Sequence, residues 1–351
     1  MQGFEIEWLY TAERDVQYPR STWLGPSLTG GAVWVDVPRF AGLCLGLHTS
    51  RFHAVLDALV SRRADGYWVV AHNEGIFYAR ELLRRGLRVH VTVHDDLPDG
   101  LLARSRRYRA FPPLARATYY DTLRNAHSLD VTSDGMQRHY RTLLGVESGV
   151  IHPVVPGTLA ERSAPTETGE LLAGNIGSVY SVSEWRQFLR ALKGLARRRG
   201  LRPRMIMIGV GGKLRDFVEK HSPTVETLPD MPEEEAVKAL AGCHVLYAMY
   251  PFGARAEVFR RTSLPTKLST YVRCRRPILA HTPRDSTLSE LVDAYKLGPI
   301  CDTLSPTEIE KHLAMVVDAP PDGAAFERAA DEVYGAHNAR LMTRLLEILA
   351  R

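Results

Sequence analysis

The sequence predicts an α/β protein of two similar domains, each built on a largely parallel sheet. The chain has 351 residues, which is too long for one ordinary core and suits two domains of roughly 150 to 200 residues. Short apolar runs alternate with amphipathic runs of helical spacing, and this alternation is typical of βαβ units. The pattern is interrupted at residues 158–170, a stretch rich in Thr, Ser and Glu, and then starts again.

The first half contains the elements of one such domain. Apolar, partly alternating runs predict strands at residues 4–10, 32–37, 67–71, 88–93 and 127–133. Helical spacing predicts helices at residues 52–60, at 76–85 and from residue 135 to Gly145. Strands that alternate with helices in this way favour a parallel sheet with right-handed crossovers.

Two histidines follow neighbouring predicted strands of this half. His72 comes after the strand at 67–71 and His94 after the strand at 88–93, and ligands of parallel sheets bind beyond the carboxyl ends of strands. A neutral imidazole can hydrogen-bond a ligand hydroxyl and changes protonation near neutral pH. Asp95 and Asp96 could orient His94 or cap the next turn. The alternative for each histidine is a polar residue that only caps its loop.

The second half repeats the alternation. Strands are predicted at residues 171–178, 205–208, 225–228, 243–250, 278–280 and 298–301. Helices are predicted from residues 183 and 233, at 267–272 and 286–292, and at 306–317 and 324–351. Gly177, Gly209 and Gly211 follow two of the strands, where glycine lets the backbone approach a ligand closely.

The stretch at residues 261–281 carries the strongest chemical signal. Ser263 and Thr266 are N-cap residue types, Pro265 is well placed at a helix start, and Lys267 opens the helical run. A helix N-terminus with unpaired N–H groups, the positive end of the helix dipole and a lysine is suited to bind phosphate. The alternative is an ordinary helix cap in an αβ unit.

Composition and charge exclude several classes. The chain is 45% hydrophobic and 24% charged, as in soluble globular proteins, and no apolar run reaches the roughly 18 residues of a membrane span. The first residues lack the pattern of a signal peptide. The 4 cysteines are scattered without a C-x-x-C pair, so we expect reduced thiols, no zinc site and a cytoplasmic protein.

The arginines cluster more than the net charge of +5 suggests. The densest cluster is Arg104, Arg106, Arg107 and Arg109, with an apolar segment directly after it. Such a cluster is most often a solvated helix face, but it also suits peripheral contact with an anionic membrane, here the inner face. No zinc-finger, RNP or similar motif accompanies it, so nucleic acid is not an expected partner.

Two segments resemble a known family. Residues 263–281 resemble the signature (F/L)P(S/T)KL…Y…(R/K)P(I/V)(L/V)A of GT-B glycosyltransferases, within the large retaining family of glycogen-synthase-like, sucrose-synthase-like and bacterial polysaccharide enzymes. Residues 91–95, Val-Thr-Val-His-Asp, resemble a strand end of that family where the histidine faces the donor sugar. The resemblance implies two Rossmann-like domains with parallel sheets facing across a cleft, at residues 1–157 and 158–334, and a final helix at 335–351 that packs back on the first domain.

The resemblance also implies an activity. It is the transfer of a sugar from a nucleotide-diphosphate sugar to a hydroxyl of a glycan, a lipid-linked glycan or a small acceptor, with retention. Catalytic roles fall on His94, Asp95 and Lys267, and sugar or acceptor contacts on His72 and Ser286. The implied nucleotide-binding residues are Gly177, Ser178, Gly209, Gly211, Leu228, Arg261, Ser263, Pro265, Thr266 and Thr270. No D-x-D triplet occurs, so we expect no required metal ion and no cofactor beyond the donor.

The sequence departs from the family at two places. The family's glutamate pair, E-x7-E, is replaced by Thr262 and Thr270, which leaves Thr270 or Glu257 to contact the donor ribose. The Arg and Lys that follow the glycine turn in many members are also missing, so phosphate binding falls on Lys267 and on the arginines at 255, 260 and 261. Two alternatives therefore remain open: a non-catalytic partner subunit of the same fold, and a nucleotide-sugar epimerase or hydrolase.

Overall fold

A computed structural model describes residues 4–11, 21–24, 33–72, 74–96, 112–155, 159–161, 169–222 and 224–351. The chain forms two compact units. Unit 1 comprises Met1–Ile151 and His337–Arg351, and unit 2 comprises His152–Ala336. The arginine cluster at 104–109 lies outside the described residues. None of the described helices is both long and apolar enough to cross a membrane.

Unit 1 contains two parallel sheets among its described residues. Strands β1 (Trp8–Tyr10) and β2 (Ser21–Trp23) pair with each other. The larger sheet has four strands, in the order of the sequence: β3 (Tyr67–Val70), β4 (Val89–Val93), β5 (Ser128–Val131) and β6 (Gly149–Val150). The predicted strands at 4–10, 67–71, 88–93 and 127–133 are thus confirmed, with shorter bounds.

The helices of unit 1 surround this sheet. They are α1 (Val33–Leu45), α2 (Ser50–Ser61), α3 (Gly75–Arg84), α4 (Pro112–Asn125) and α5 (Asp134–Leu144). Helix α5 begins where the Ser133 hydroxyl accepts a hydrogen bond of 2.9 Å from the Met136 N–H. It ends at Gly145, whose φ of 69° is left-handed and favours glycine.

The predicted strand at residues 32–37 is wrong, because residues 33–45 form helix α1. The alternating Val-Trp-Val run suggested a strand. Further along, Phe40, Leu43 and Cys44 have helical spacing and are buried. Phe40 packs edge-on against Phe77 of α3, with ring centroids 5.3 Å apart. Tertiary packing of this apolar face therefore overrides the local alternation.

Unit 2 has a six-stranded parallel sheet. Its strands are β7 (Glu170–Ile176), β8 (Arg202–Ile208), β9 (Val225–Leu228), β10 (Val245–Met249), β11 (Ile278–His281) and β12 (Ile300–Cys301). Their order is β12-β11-β10-β7-β8-β9. The chain runs outward from β7 to β9, returns to β10 and continues on the other side. The strand order therefore reverses between β7 and β10, which is where such sheets bind ligands.

Helices cover both faces of this sheet. On one face α8 (Glu233–Ala241), α10 (Lys267–Cys274), α11 (Thr287–Tyr295) and α13 (Gly323–Glu332) contribute buried apolar residues. The other face carries α6 (Val182–Arg198), α7 (Gly212–His221) and α12 (Pro306–Asp318). A short helix, α9 (Glu257–Thr262), precedes α10. The last helix, α14 (His337–Ala350), belongs to unit 1 and contacts β4 and β5.

Candidate functional site

Two glycine turns lie side by side at the carboxyl edge of the unit 2 sheet. The register aligns Ile176, Ile208 and Leu228, the last residues of β7, β8 and β9. Gly177 and Gly209 follow with left-handed φ angles of 68° and 66°, so both positions favour glycine. The Gly177 N–H donates to the Ile208 carbonyl at 2.8 Å, and the Gly209 N–H donates to the Leu228 carbonyl at 3.1 Å.

Helix α10 begins at this edge, with one of the two predicted cap residues at its N-cap position. Thr266 occupies the N-cap position without a side-chain hydrogen bond. Ser263, predicted as a capping residue type, instead follows the last residue of α9 and is buried. Its carbonyl accepts a hydrogen bond of 2.8 Å from the Tyr250 hydroxyl. Leu264 and Pro265 intervene between the two helices, and the Pro265 carbonyl accepts from the Leu268 N–H at 3.1 Å.

Lys267 points from the start of α10 toward the first glycine turn. Its Nζ donates to the Ser178 carbonyl at 2.6 Å and to Asn175 Oδ1 at 3.2 Å. The Tyr180 ring centroid lies 5.7 Å from the same nitrogen. All of these partners are uncharged. No carboxylate of the described residues forms an ion pair with Lys267, so its ammonium group has no counter-charge among them.

Burial governs the protonation of this lysine. Loss of solvent around the side chain lowers the pKa of Lys267 to about 7. A bound anion would favour the ammonium form and raise the pKa again. The site therefore has the electrostatic character of an anion site.

Asn175 holds this arrangement together, and the sequence interpretation missed it. The side chain is 1% exposed, and its Nδ2 donates to the Gly177 carbonyl at 3.1 Å. Its Oδ1, which accepts from Lys267, lies 3.4 Å from the Tyr271 hydroxyl. The sequence does carry one signal for Asn175, because it is a polar residue within the apolar run 171–176.

Two of the three arginines expected to assist Lys267 are engaged elsewhere. Arg260 forms two hydrogen bonds with the Asp285 carboxylate, at 2.8 and 2.9 Å, and these raise the pKa of Arg260 further. Arg261 is exposed and forms an ion pair of 3.1 Å with Glu257, so Glu257 is engaged in that pair as well. Arg255 is exposed in the short turn Ala254–Ala256. Lys267 is thus the predicted phosphate ligand whose surroundings best match that role.

A carboxylate lies beside Thr270, one turn after Lys267 on the same helix. The Thr270 hydroxyl is 3.4 Å from Glu233 Oε1. Arg273, which is fully buried, contacts Glu233 at 3.3 Å and Glu234 at 2.6 Å. The Glu233 side chain remains 41% exposed. The structure therefore supplies a fixed, accessible carboxylate close to a position where the family's glutamate is missing.

The remaining predicted residues of unit 2 have mainly structural contacts. Ser286 is fully buried and caps α11, accepting from the Ser289 N–H at 3.1 Å. Gly211 is the N-cap residue of α7, and Leu228 is half-buried at the end of β9. The helix predicted after residue 285 is confirmed, but burial leaves Ser286 unsupported as a sugar ligand.

The predicted residues of unit 1 gather at the edge of its own sheet. Val70 pairs with Thr92 in the register, so His72 and His94 follow adjacent strands at the same level, and both are exposed. Asp96 is buried and accepts from the Tyr120 and Tyr140 hydroxyls at 3.2 and 3.1 Å. Asp96 therefore anchors this loop, and its role in orienting His94 stays a prediction. Asp95 is exposed beside His94.

The part of the chain that the structure describes contains no candidate metal site. Among those residues, no group of three or more His, Cys, Asp or Glu side chains could hold a metal ion. The independence from metal expected from the sequence stays a prediction.

Solved structures identify the fold. OtsA in its apo form gives a TM-score of 0.62 at 11% identity, covering 98% of this chain and 92% of that one. A trehalose 6-phosphate synthase from Burkholderia multivorans gives 0.61 at 12% identity, with 89% and 76% covered. S. aureus TarM, solved with fondaparinux, α-GlcNAc-glycerol and UDP, gives 0.52 at 9% identity, and the match covers 84% of this chain but 58% of TarM.

These neighbours are GT-B glycosyltransferases, and the GT-B fold class predicted from the sequence is confirmed. No family model matches the chain, and no curated protein matches it in sequence.

Proposed function

We propose that the protein is a glycosyltransferase that transfers a sugar from a nucleotide-diphosphate sugar, and that Lys267 binds the diphosphate. One observation carries this proposal. At the point where the strand order of unit 2 reverses, a half-buried lysine at a helix N-terminus donates to the Ser178 carbonyl and Asn175 Oδ1, and among the described residues it has no ionic partner. A diphosphate would supply the counter-charge that the site lacks.

The same arrangement suits the departure of a nucleoside diphosphate. Negative charge develops on the leaving phosphate as the bond to the sugar breaks. A lysine and backbone N–H groups that are already in place stabilise that charge without reorganising. The N-terminal end of the α10 dipole adds to this effect. No carboxylate base is then required, because in a retaining transfer the leaving phosphate can accept the acceptor's proton.

The structural neighbours support this class of donor. TarM was solved with UDP and with a GlcNAc glycoside, and we propose that the present protein binds a nucleoside diphosphate in the same fold. We propose as acceptor a hydroxyl of a glycan, a lipid-linked glycan or a small molecule, with retention at the sugar carbon. The proposal needs neither a metal nor a further cofactor.

Glu233 would contact the donor ribose. Its carboxylate is held by the buried Arg273 and lies beside Thr270, one turn from Lys267. A carboxylate can accept hydrogen bonds from both ribose hydroxyls. We propose Glu233 in this role in place of Thr270 or Glu257.

Unit 1 would supply contacts to the sugar. His72, His94 and Asp95 are exposed at the carboxyl edge of its sheet, where imidazole and carboxylate groups can hydrogen-bond sugar hydroxyls. A cytoplasmic location and peripheral membrane contact through the arginines at 104–109 remain part of the proposal.

The test is a thermal-shift screen followed by a turnover assay. Purified protein is screened with UDP, GDP, ADP, CMP and dTDP, with and without Mg²⁺, because a ligand that binds the native state raises the melting temperature. The sugar donors of the best nucleotide are then assayed for release of the nucleoside diphosphate, with and without a mixture of sugar acceptors. Lys311→Ala is the matched control for Lys267→Ala, since Lys311 is an exposed lysine paired with Glu308.

The outcomes separate the proposal from its alternatives. Acceptor-dependent release that is lost in Lys267→Ala and kept in Lys311→Ala supports the transferase. Release without any acceptor would indicate an epimerase or hydrolase. Binding without release from any donor would indicate a non-catalytic subunit, and no shift with any nucleotide would overturn the proposal.

A further inference from the structure

We propose that Asn175 is a positioning residue that holds the Lys267 ammonium group without neutralising it. The bound diphosphate then becomes the ionic partner that the lysine lacks among the described residues, and above neutral pH it binds together with a proton. This inference rests on the proposed function. It adds a residue in β7 and a pH dependence that the fold alone does not supply.

The orientation of the Asn175 amide is set by its contacts. Nδ2 donates to the Gly177 carbonyl at 3.1 Å, so Oδ1 is the atom that faces Lys267 Nζ at 3.2 Å. The side chain is 1% exposed within the central strand. It therefore fixes the ammonium group relative to the glycine turn, where a phosphate would bind.

The inference also requires that no acidic side chain near Lys267 neutralises its charge. The acidic side chains around the site have other partners. The helices packed against α10 are α8 and α13. Glu233 and Glu234 of α8 contact Arg273, and Glu327 of α13 pairs with Arg275. The acids on the neighbouring segments are also engaged: Glu184 with Ser181, Ser183 and the Phe252 N–H; Glu257 with Arg261; Asp285 with Arg260.

Two phenols near the site, those of Tyr247 and Tyr271, carry no charge near neutral pH because burial raises the pKa of both. The Tyr180 ring centroid lies 5.7 Å from Lys267 Nζ. An asparagine thus occupies a position where an aspartate of the same shape would place a carboxylate within ion-pair distance of Lys267.

This neutrality links binding to pH. Burial lowers the pKa of Lys267 to about 7, so at pH 9 the free site is mostly uncharged. A diphosphate favours the ammonium form and must then bind with a proton, which weakens its affinity as the pH rises. Terminal phosphate groups already lose their second proton near pH 6, so the pH range from 7 to 9 isolates the lysine.

Asn175→Asp tests the role directly. An aspartate would keep Lys267 charged at both pH values and would compete with the diphosphate. We expect the dissociation constant of the nucleotide found by thermal shift to rise about tenfold at pH 7, the range of an added ionic competitor. We also expect the loss of affinity from pH 7 to pH 9, at least about fivefold in the wild type, to shrink to less than twofold.

Asn175→Ala is the companion variant, because it removes the amide without adding a charge. We expect it to weaken binding by about threefold and to keep the wild-type pH dependence. Calorimetric titrations at pH 7 and pH 9 give both quantities. A merely structural role for Asn175 would lower the melting temperature of both variants alike and leave their pH profiles equal.

Several results would overturn the inference. One is an unchanged dissociation constant between pH 7 and pH 9 in the wild type. This measurement needs no variant, so it tests the inference even if Asn175→Asp does not fold. Wild-type affinity and pH dependence in a folded Asn175→Asp would do so as well. If Lys267→Ala abolishes binding in either case, the proposed function stands and only the role of Asn175 fails.

Discussion

The two ends of helix α10 carry basic residues in opposite surroundings. At the N-terminal end, Lys267 is half-buried and donates to two neutral oxygens. In the last turn, Arg273 is fully buried and contacts the carboxylates of Glu233 and Glu234. Both cations lose solvent, but among the described residues Arg273 is paired with carboxylates and Lys267 is not.

The difference shows that burial of a cation does not by itself identify a binding site. A buried charge with its partners is a structural element, and removing one partner destabilises the fold. A desolvated charge without a partner lowers the stability of the free protein. We infer that such a cost is retained because a ligand removes it, a common trade between stability and function.

The largest expected effect is at Lys267. We expect Lys267→Ala to lower kcat/KM for the nucleotide sugar by at least about 100-fold, because an electrostatic contact to the leaving group is lost. Steady-state release of the nucleoside diphosphate measures it. Lys311→Ala serves as the control, and a Lys267→Ala enzyme within threefold of it would remove the lysine from the mechanism.

At the C-terminal end of α10, we expect substitutions to change the free energy of unfolding rather than turnover. Glu234→Gln removes one of the two carboxylates that contact Arg273, and we expect a loss of about 1 kcal/mol of unfolding free energy, because the Glu234 side chain is 67% exposed and solvent screens the pair. Urea denaturation of the variant measures this, with the exposed Glu235→Gln as control. Equal stability of the two variants would show that Arg273 does not depend on Glu234.

Glu233 has contacts with both parts of helix α10, since it contacts Arg273 in the last turn and lies beside Thr270, one turn after Lys267. We expect Glu233→Gln to weaken nucleoside diphosphate binding by about tenfold through the lost ribose acceptor, or about 1.4 kcal/mol. Titration with the 2′-deoxy analogue checks the assignment, because wild type should discriminate against it and the variant should not. Equal discrimination by both proteins would exclude Glu233 from the ribose.

The smallest expected effect is on the stability of the protein without ligand, and it concerns the charge of Lys267. Burial holds the pKa of Lys267 near 7 in the folded state, well below its unfolded value, so the unfolded state binds more protons between these values and stability rises with pH there. Lys267→Met lacks this slope. We expect it to be more stable than wild type at pH 7 by about 1 kcal/mol and to lose that advantage by pH 9.

Chemical denaturation at pH 7 and pH 9 measures the difference. A Lys267→Met variant that is less stable than wild type at pH 7 would contradict an unbalanced charge at this position.

Local patterns predicted much of this fold. The apolar runs of β7, β8, β10 and β11 are buried on both faces, and their signal is strong in the sequence. The same holds for the start of α10, where Pro265 and Lys267 are two residues apart in the chain. Helix α1 was mistaken for a strand because its apolar face is decided by packing against α3, which the alternation at residues 33–37 does not report.

The partners of the site could not be predicted in this way. Asn175 and Lys267 are 92 residues apart in the chain, and Glu233 and Thr270 are 37 apart. No local pattern links such positions, so the contacts of Asn175 with Lys267 and of Glu233 with Thr270 could not be predicted from the sequence. Conversely, Ser263 and Ser286 carried local cap signals, and the structure buries both.

Calorimetric titration of the wild-type protein and Lys267→Ala with one nucleoside diphosphate at pH 7 tests the central claim most directly. The account predicts saturable one-site binding to the wild type and to Lys311→Ala, and a dissociation constant raised at least about 100-fold in Lys267→Ala. The same affinity in Lys267→Ala and wild type would contradict it, because the unpaired lysine at the start of α10 would then not be where the diphosphate binds.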